Sequence, residues 1–497
     1  VIGETVAAIA RVRVAGPGAE LLPDDGLYDI VIADGRIADI APSGALRLPR
    51  AVLDADGAFL VPGLWDHHVH VTQWALTAER VALGDTGSAA EAAGCMAHAP
   101  VLGDGRRIGV GIRDALWPDA PRLDVLDAAT GGIPAYLVNA DLHSVWLNSA
   151  AQAKEGFAAV DGMLREEPAF EVCRRLNTVS PADADARVAA MAAAAAARGV
   201  VGLVDLDLLW NEESWQRRAH AGFDALRIEF GIYPEHLDRA IAEGLRTGER
   251  LRGSASDLVR VGPLKVITDG SLGTRTAACS HPYPHDPDDR GVLAVPPVEL
   301  ARLMTAAAGA GIACAVHAIG DEAGRHALDA FATSGAWGTI EHAQLLSRTD
   351  MPRFARLGVG ASVQPEHALD DRDLTDTIWA GQTATPYPLR SLADAGANLL
   401  LGSDAPVAPL DPWAAIAAAV FRSRDDRAPW HPEETVPFSV ALAASTRGGS
   451  LHPSAIAVGA PADLALCATD PRIAGDRELR GMEVRATLLA GRVTHDA

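Results

Sequence analysis

Eight near-continuous apolar segments, spaced by helical stretches, constrain this chain more than any other feature. They are residues 59–65 (FLVPGLW), 200–206 (VVGLVDL), 226–232 (LRIEFGI), 261–268 (VGPLKVIT), 312–318 (IACAVHA), 338–343 (GTIEHA), 359–365 (VGASVQP) and 398–404 (NLLLGSD). Runs such as ELARLMTAAAGAG, GRHALDAFATSG and SLADAGA carry apolar residues at helical spacing between the later segments. Apolar strands alternating with helices form parallel sheets covered on both faces. The class is therefore α/β, and eight repeats predict a closed (β/α)8 barrel of the TIM type.

The two ends read differently. YDIVIADGRIADIAP sets two extended runs around Asp34-Gly35, and VRATLLAGRVTHD does the same around Ala490-Gly491, both hairpin signals. These β-rich ends predict a small composite β-sandwich from residues 1–58 and 452–497, beside a barrel domain over 59–451. Residues 75–185 read as an insertion between the first two barrel strands, with strand-like runs of its own in RRIGVGI and PAYLVNA. The stretch SPADADARVAAMAAAAAARG predicts a helix capped by Ser180 and stopped by Gly199.

Composition removes several classes of partner. With 43 basic and 65 acidic residues the formal charge is −22, which argues against nucleic acid and anionic membrane surfaces. No apolar run is long enough to span a bilayer. The opening VIGETVAAIARVRV has no basic start and is broken by Glu4, Arg11 and Arg13, so it is not expected to be a signal peptide. Five cysteines (Cys95, Cys173, Cys279, Cys314, Cys467) without a CxxC pair speak against a disulfide framework or a thiolate zinc site, and predict a reducing cytoplasm.

The polar residues of the barrel segments cluster where an α/β barrel keeps its chemistry, at the C-terminal ends of the strands. The first segment runs into Asp66, His67, His68, Val69 and His70. A His-x-His pair on an extended chain sends both imidazoles to one face. The fifth ends at His317, the sixth at His342 and the eighth at Asp404. A single histidine at a strand end is usually a hydrogen-bonded structural residue. Several imidazoles and a carboxylate from separate strands point instead to zinc or a similar divalent ion with a position open to water. The 43 basic residues include only two lysines. Lys154, in AQAKEG, reads as a surface charge, whereas Lys265 sits in the apolar fourth segment, where an amine can do what a permanently charged guanidinium cannot.

VPGLWDHHVH resembles the PGxxDxHxH signature of the amidohydrolase superfamily. The segments NADLHSVWLNS, DGMLRE, KVITDGSLGTRTA, VHAIGDEA, IEHAQLL, ASVQPEH, LLLGSDAPV and GAPADLAL are similar to its YtcJ-like branch (amidohydrolase family 3), which includes N-substituted formamide deformylases. The resemblance implies a metal-dependent barrel hydrolase with a β-sandwich beside it. It assigns His68 and His70 to a first metal, His317 and His342 to a second, and Asp404 to metal binding and proton transfer. Lys265 matches the lysine that many amidohydrolases carboxylate to bridge two metals. Glu166 is a rival bridge, and a mononuclear site would need neither. Two departures stand out: His67 replaces a small residue, and a TxNxA pattern reads Thr446-Arg447-Gly448-Gly449.

The expected reaction is hydrolysis of a C–N bond of amide type, N-acyl or N-formyl, in a small molecule. A metal-activated water attacks the carbonyl, and Asp404 moves the proton to the leaving nitrogen. Arg275, His367, His143 and Asp141 are candidate substrate-binding residues, while Asn148 reads as structural. The cofactor is expected to be Zn2+, two per chain or one. The alternative is a mononuclear zinc aminohydrolase (deaminase), which would need a glutamate near His317, and Glu322 is five residues on. A cytoplasmic enzyme, with a homodimer as the assembly to test, completes the reading.

Overall fold

A computed structural model gives the fold. It describes every residue except 1, 24, 115–116, 141–143, 166, 255 and 285, and the side chain of residue 170. The chain divides into two compact units, Val1–Val71 with Ala189–Ala497, and Thr72–Val188.

The larger unit holds eight parallel strands: β1 (Leu64–Val69), β2 (Val200–Asp205), β3 (Arg227–Ile232), β4 (Val259–Ile267), β5 (Cys314–Ala318), β6 (Gly338–His342), β7 (Gly360–Val363) and β8 (Asn398–Leu401). They are hydrogen-bonded in that order. Seven coincide with the apolar segments of the sequence. The first segment is corrected: it straddles two strands, because Phe59–Pro62 pairs antiparallel with Leu464–Cys467 in another sheet, and β1 begins only after Gly63. The period-two pattern could not show this, since both halves are equally apolar.

That other sheet is built from both chain ends. Its order is Arg492–Asp496, Val484–Leu489, Leu464–Cys467, Phe59–Pro62, Ala8–Val14, Tyr28–Ala33 and Arg36–Pro42, with Val52–Asp54 also on Ala8–Val14. Ile9, Val12, Ile30 and Ile37 share one buried cluster with Leu464, Leu466, Leu488 and Val493, so the termini make a common core. Asp34 and Gly35 take φ of 50° and 72°, and Ala490 and Gly491 50° and 78°, the left-handed pairs that two-residue hairpins require. Asp463, just before Leu464–Cys467, grips Arg227 of β3 with both oxygens, at 2.6 and 3.0 Å, and so ties this sheet to the barrel.

The smaller unit carries a five-stranded sheet ordered Met163–Arg165, Ser144–Leu147, Ala135–Asn139, Arg107–Ile112 and Val81–Ala82. Asn148 is structural here. Its buried amide caps the helix Ser149–Glu155 through Ala151 N–H, and it also bonds Ala135 N–H, Thr130 Oγ1 and Ile133 O. The helix Pro181–Ala196 follows its expected cap, with Ser180 Oγ accepting Asp183 N–H at 3.1 Å. Among the described residues, no helix is long and apolar enough to cross a membrane.

The barrel closes at its C-terminal rim. Asp404 N–H donates to His68 O at 2.7 Å and His70 N–H to Ala405 O at 2.9 Å, joining the end of β1 to the residues after β8. Asp66 secures the same seam, since its Oδ1 accepts Ser403 N–H at 2.9 Å and His68 N–H at 3.1 Å. Gly402 makes this approach possible, because a Cβ there would lie 2.8 Å from His68 N and 3.1 Å from Asp66 Oδ1. Gly402→Ala is expected to destabilise the fold by about 1–3 kcal/mol, as overpacking does in a closed interior. A urea midpoint equal to that of the parent would show that the seam has room for the methyl group.

Candidate metal centre

The ends of β1, β4, β5 and β6 and Asp404, three residues after β8, converge inside the rim. Ligand atoms of His68, His342 and Asp404 lie within 4.8 Å of one another. The His68 ring centroid is 5.5 Å from that of His70 and 4.8 Å from that of His342, and His342 is 4.5 Å from His317. His70 Nε2 stands 3.3 Å from Asp404 Oδ1, and His68 Nε2 3.5 Å from the same oxygen. Lys265 Nζ lies 3.0 Å from His68 Nε2, and the lysine is 1% exposed. Lys154, by contrast, is a surface residue.

Neighbours on the far side of the rings fix which nitrogen faces inward. His68 Nδ1 donates to Glu341 Oε2 at 2.7 Å, and His342 Nδ1 donates to Gln364 Oε1 at 2.9 Å. Both Nε2 atoms are thereby left with lone pairs toward the centre, the arrangement that metal-binding imidazoles use. Glu341 and Gln364 escaped the sequence reading. In a regular strand Glu341 and His342 would point to opposite faces. His342 and Ala343, however, adopt φ of 71° and 45°, so two consecutive side chains serve one site. Asp404 is likewise left-handed, with φ of 58°. Such strain in residues other than glycine collects at functional sites.

The electrostatics favour ligand forms. Burial pushes His68 down to about 4, assisted by Lys265. Burial, with His317 and His68 beside it, lowers His342 well below the ordinary imidazole range. Both rings are neutral near pH 7. Burial alone would raise Asp404, but His68, His70 and His342 outweigh it and hold the carboxyl well below its usual range. Glu341 behaves similarly: its bond to His68 overcomes burial and takes it down to about 2. Burial lowers Lys265, against the pull of Glu341 and Asp404. Asp66 rises to about 6 because burial exceeds the help of its donors.

The remaining candidates are placed unevenly. His317 lies at the edge of the cluster, with Nε2 3.3 Å from Gly270 O and 3.4 Å from Asp269 Oδ1. His367, on the helix Pro365–Asp370 after β7, stacks on His342 at 6.3 Å and puts Nε2 4.0 Å from Asp404 Oδ2. Arg275 is exposed on the loop after β4, at a left-handed φ of 58°. Asp141, His143 and Glu166 lie outside the described residues. Glu322 has both carboxylate oxygens on Arg325, at 2.5 and 3.1 Å.

The two departures from the family pattern turn out to be neighbours. His67 Nε2 bonds Thr446 O at 3.0 Å and its ring stacks on Trp65 at 6.2 Å. Arg447 lies over Trp65 at 5.3 Å and pairs with Glu229 of β3 at 2.7 Å.

Comparison with known proteins agrees with this geometry. The chain is 29% identical over 466 residues to Protein LONG AFTER FAR-RED 3 of Arabidopsis thaliana, covering 84% of this chain and 79% of the relative. It is 29% identical over 298 residues to "Putative amidohydrolase YtcJ" of Bacillus subtilis (57% of this chain, 55% of the relative). It is 24% identical over 517 residues to the N-substituted formamide deformylase of Arthrobacter pascens (93% and 94%). The crystal structure of an uncharacterized metal-dependent hydrolase from Pyrococcus horikoshii shares the fold, with a TM-score of 0.79 at 23% identity over 95% of this chain and 99% of that one. The model of the amidohydrolase family itself matches residues 51–495, almost the whole chain. With that match laid over a barrel whose rim gathers histidines, a lysine and an aspartate, the chain belongs to the amidohydrolase family, hydrolytic enzymes acting on carbon–nitrogen bonds.

Proposed function

We propose that the chain hydrolyses an amide-type C–N bond, N-acyl or N-formyl, of a small molecule, with a divalent metal held at the barrel rim. The observation that carries this reading is the meeting of His68, His342 and Asp404 beside a buried lysine. The donor set fits zinc: His68 and His342 as neutral imidazoles with oriented lone pairs, and Asp404 as an ionised carboxylate. Likeness to a formamide deformylase along 93% of the chain supports the choice of bond.

In the two-metal form of the proposal, His68, His70 and Asp404 would hold one ion and His317 and His342 the other. Lys265 would supply the ligand common to both. Burial favours its neutral amine, which adds CO2 and releases one proton to become a carbamate with two oxygens. The lysine is placed for this role, with its Nζ 3.0 Å from His68 Nε2 among the ligand atoms. When bound, the metal lowers the pKa of a water to about 7 and polarises the scissile carbonyl.

The chain's own groups do the rest. Asp404, ionised, accepts the proton of the attacking water and returns it to the leaving nitrogen. Gln344 Nε2 lies 3.5 Å from His367 Nδ1. Donation from Gln344 leaves a proton on His367 Nε2, facing the site, where it can hydrogen-bond the carbonyl oxygen. Arg275, on the solvent side of the rim, would receive a substrate carboxylate. A mononuclear deaminase would call for a free glutamate near His317, and Glu322 is already engaged by Arg325.

The direct test is a panel of N-formyl and N-acyl amines with zinc-loaded enzyme. Release of amine together with carboxylic acid is expected; ammonia without an acid product, from a chain holding one ion, would replace the proposal with deamination. Asp404→Asn is expected to lower kcat by about 10³-fold, within the range of general acid–base loss, while the zinc remains. Turnover near the parent's would remove its proton role. Lys265→Arg is expected to lose at least half of the bound metal by elemental analysis, and short carboxylic acids should partly restore activity to Lys265→Ala. Full metal content in Lys265→Arg would eliminate the bridge.

A further inference from the structure

Beside His342 lies a small cavity of about 20 Å³. Its apolar wall includes Val363, Ala368 and Leu392, and its polar members are His342, Gln364, Tyr387 and Arg422. A cavity needs roughly 10–15 Å³ to take a water molecule, so this one admits one small species and no organic substrate.

Arg422 is unusual. It follows the helix Pro412–Phe421 at a left-handed φ of 52° and is 1% exposed. Its Nε donates to Trp430 O at 3.1 Å and its guanidinium lies 5.2 Å from the Trp430 ring. Among the described residues, Nη2 has no acceptor. Nor does any described carboxylate form an ion pair with it. Glu434, the acid that acts on it most strongly, spends its two oxygens on Ser391 N–H and Oγ–H at 2.9 and 2.6 Å. A buried cation without a direct counter-charge is costly, and the cost falls when an anion reaches it.

The other polar groups around the cavity sharpen the choice of ligand. Gln364 gives its Oε1 to His342 Nδ1, so the group it has left is the Nε2 amide donor, whose contact with Ser362 O is a long 3.4 Å. Tyr387 already donates its hydroxyl to Asp371 at 2.7 Å. Two side-chain donors, from Arg422 and Gln364, are therefore still available among apolar walls, with the Tyr387 oxygen as an acceptor beside them. A water molecule there would leave the Arg422 charge uncompensated, whereas a halide accepts from both donors and neutralises it.

We propose that Arg422 and Gln364 form a buried site for one monatomic anion, chloride or another halide. The anion neutralises Arg422 and holds the Gln364 amide with its oxygen toward His342. The site adjoins the metal centre through Gln364 and does not depend on which bond the enzyme cleaves.

Thermal unfolding of the full chain in sodium chloride against sodium gluconate, at equal ionic strength, tests this. A saturable, chloride-specific rise in Tm of about 1–3 °C is expected from binding to the folded state alone. The rise should vanish in Gln364→Glu, which sets a carboxylate against the anion, and in Arg422→Met. Should Arg422→Met fail to fold, bromide-soaked crystals of the parent carry the decision: an anomalous peak at hydrogen-bond distance from Arg422 Nη2 is expected. Absence of that peak, or equal Tm in chloride and gluconate, overturns the site.

Discussion

The buried carboxylate of Asp66 receives the backbone N–H groups of His68 and Ser403, and around it the first and eighth barrel strands are joined. Every other feature of the site depends on that seam. His68 and Asp404 face each other because the N–H of one residue bonds the carbonyl of the other. Gly402 lets the backbones close to a distance that no side chain allows. Geometry that holds the fold together is thus the geometry that sets ligand spacing, and a perturbation of one is felt in the other. Packed interiors transmit such strain because they have little free volume to absorb it.

Around the seam, the chemistry is set by groups that do not face the centre. Glu341 and Gln364 each take a ring proton, so His68 and His342 present lone pairs inward. Burial keeps the imidazoles neutral and the surrounding rings keep Asp404 ionised. Arg424 and Arg480 perform a mechanical version of the same task. Both pair with Glu366, at 3.1 and 2.8 Å, and Arg424 reaches Asp370 as well. These bonds anchor the helix that carries His367.

The barrel was legible because buried parallel strands are apolar along their whole length and recur here between helical stretches. The candidate ligands were legible for the complementary reason: a histidine or aspartate in such a strand is conspicuous. Lys265 stood out because its chain is nearly free of lysine and because it sits in an apolar strand. What escaped was whatever periodicity misassigns. Glu341 belongs by alternation to the face opposite His342, and only the left-handed turn at His342 brings both to the centre. The break at Gly63 between two sheets leaves no mark in an unbroken apolar run. His67 and Arg447 looked like unrelated departures from the family pattern, yet both pack on Trp65.

The seam between β1 and the residues after β8 also orders events in time. During synthesis β1 finds one neighbour when β2 emerges, but its other edge has no partner until Ala405 has been made. An unpaired strand edge is a template for pairing with foreign chains. Until Ala405 has been made, the free edge of β1 is therefore such a template, and closing the ring removes it.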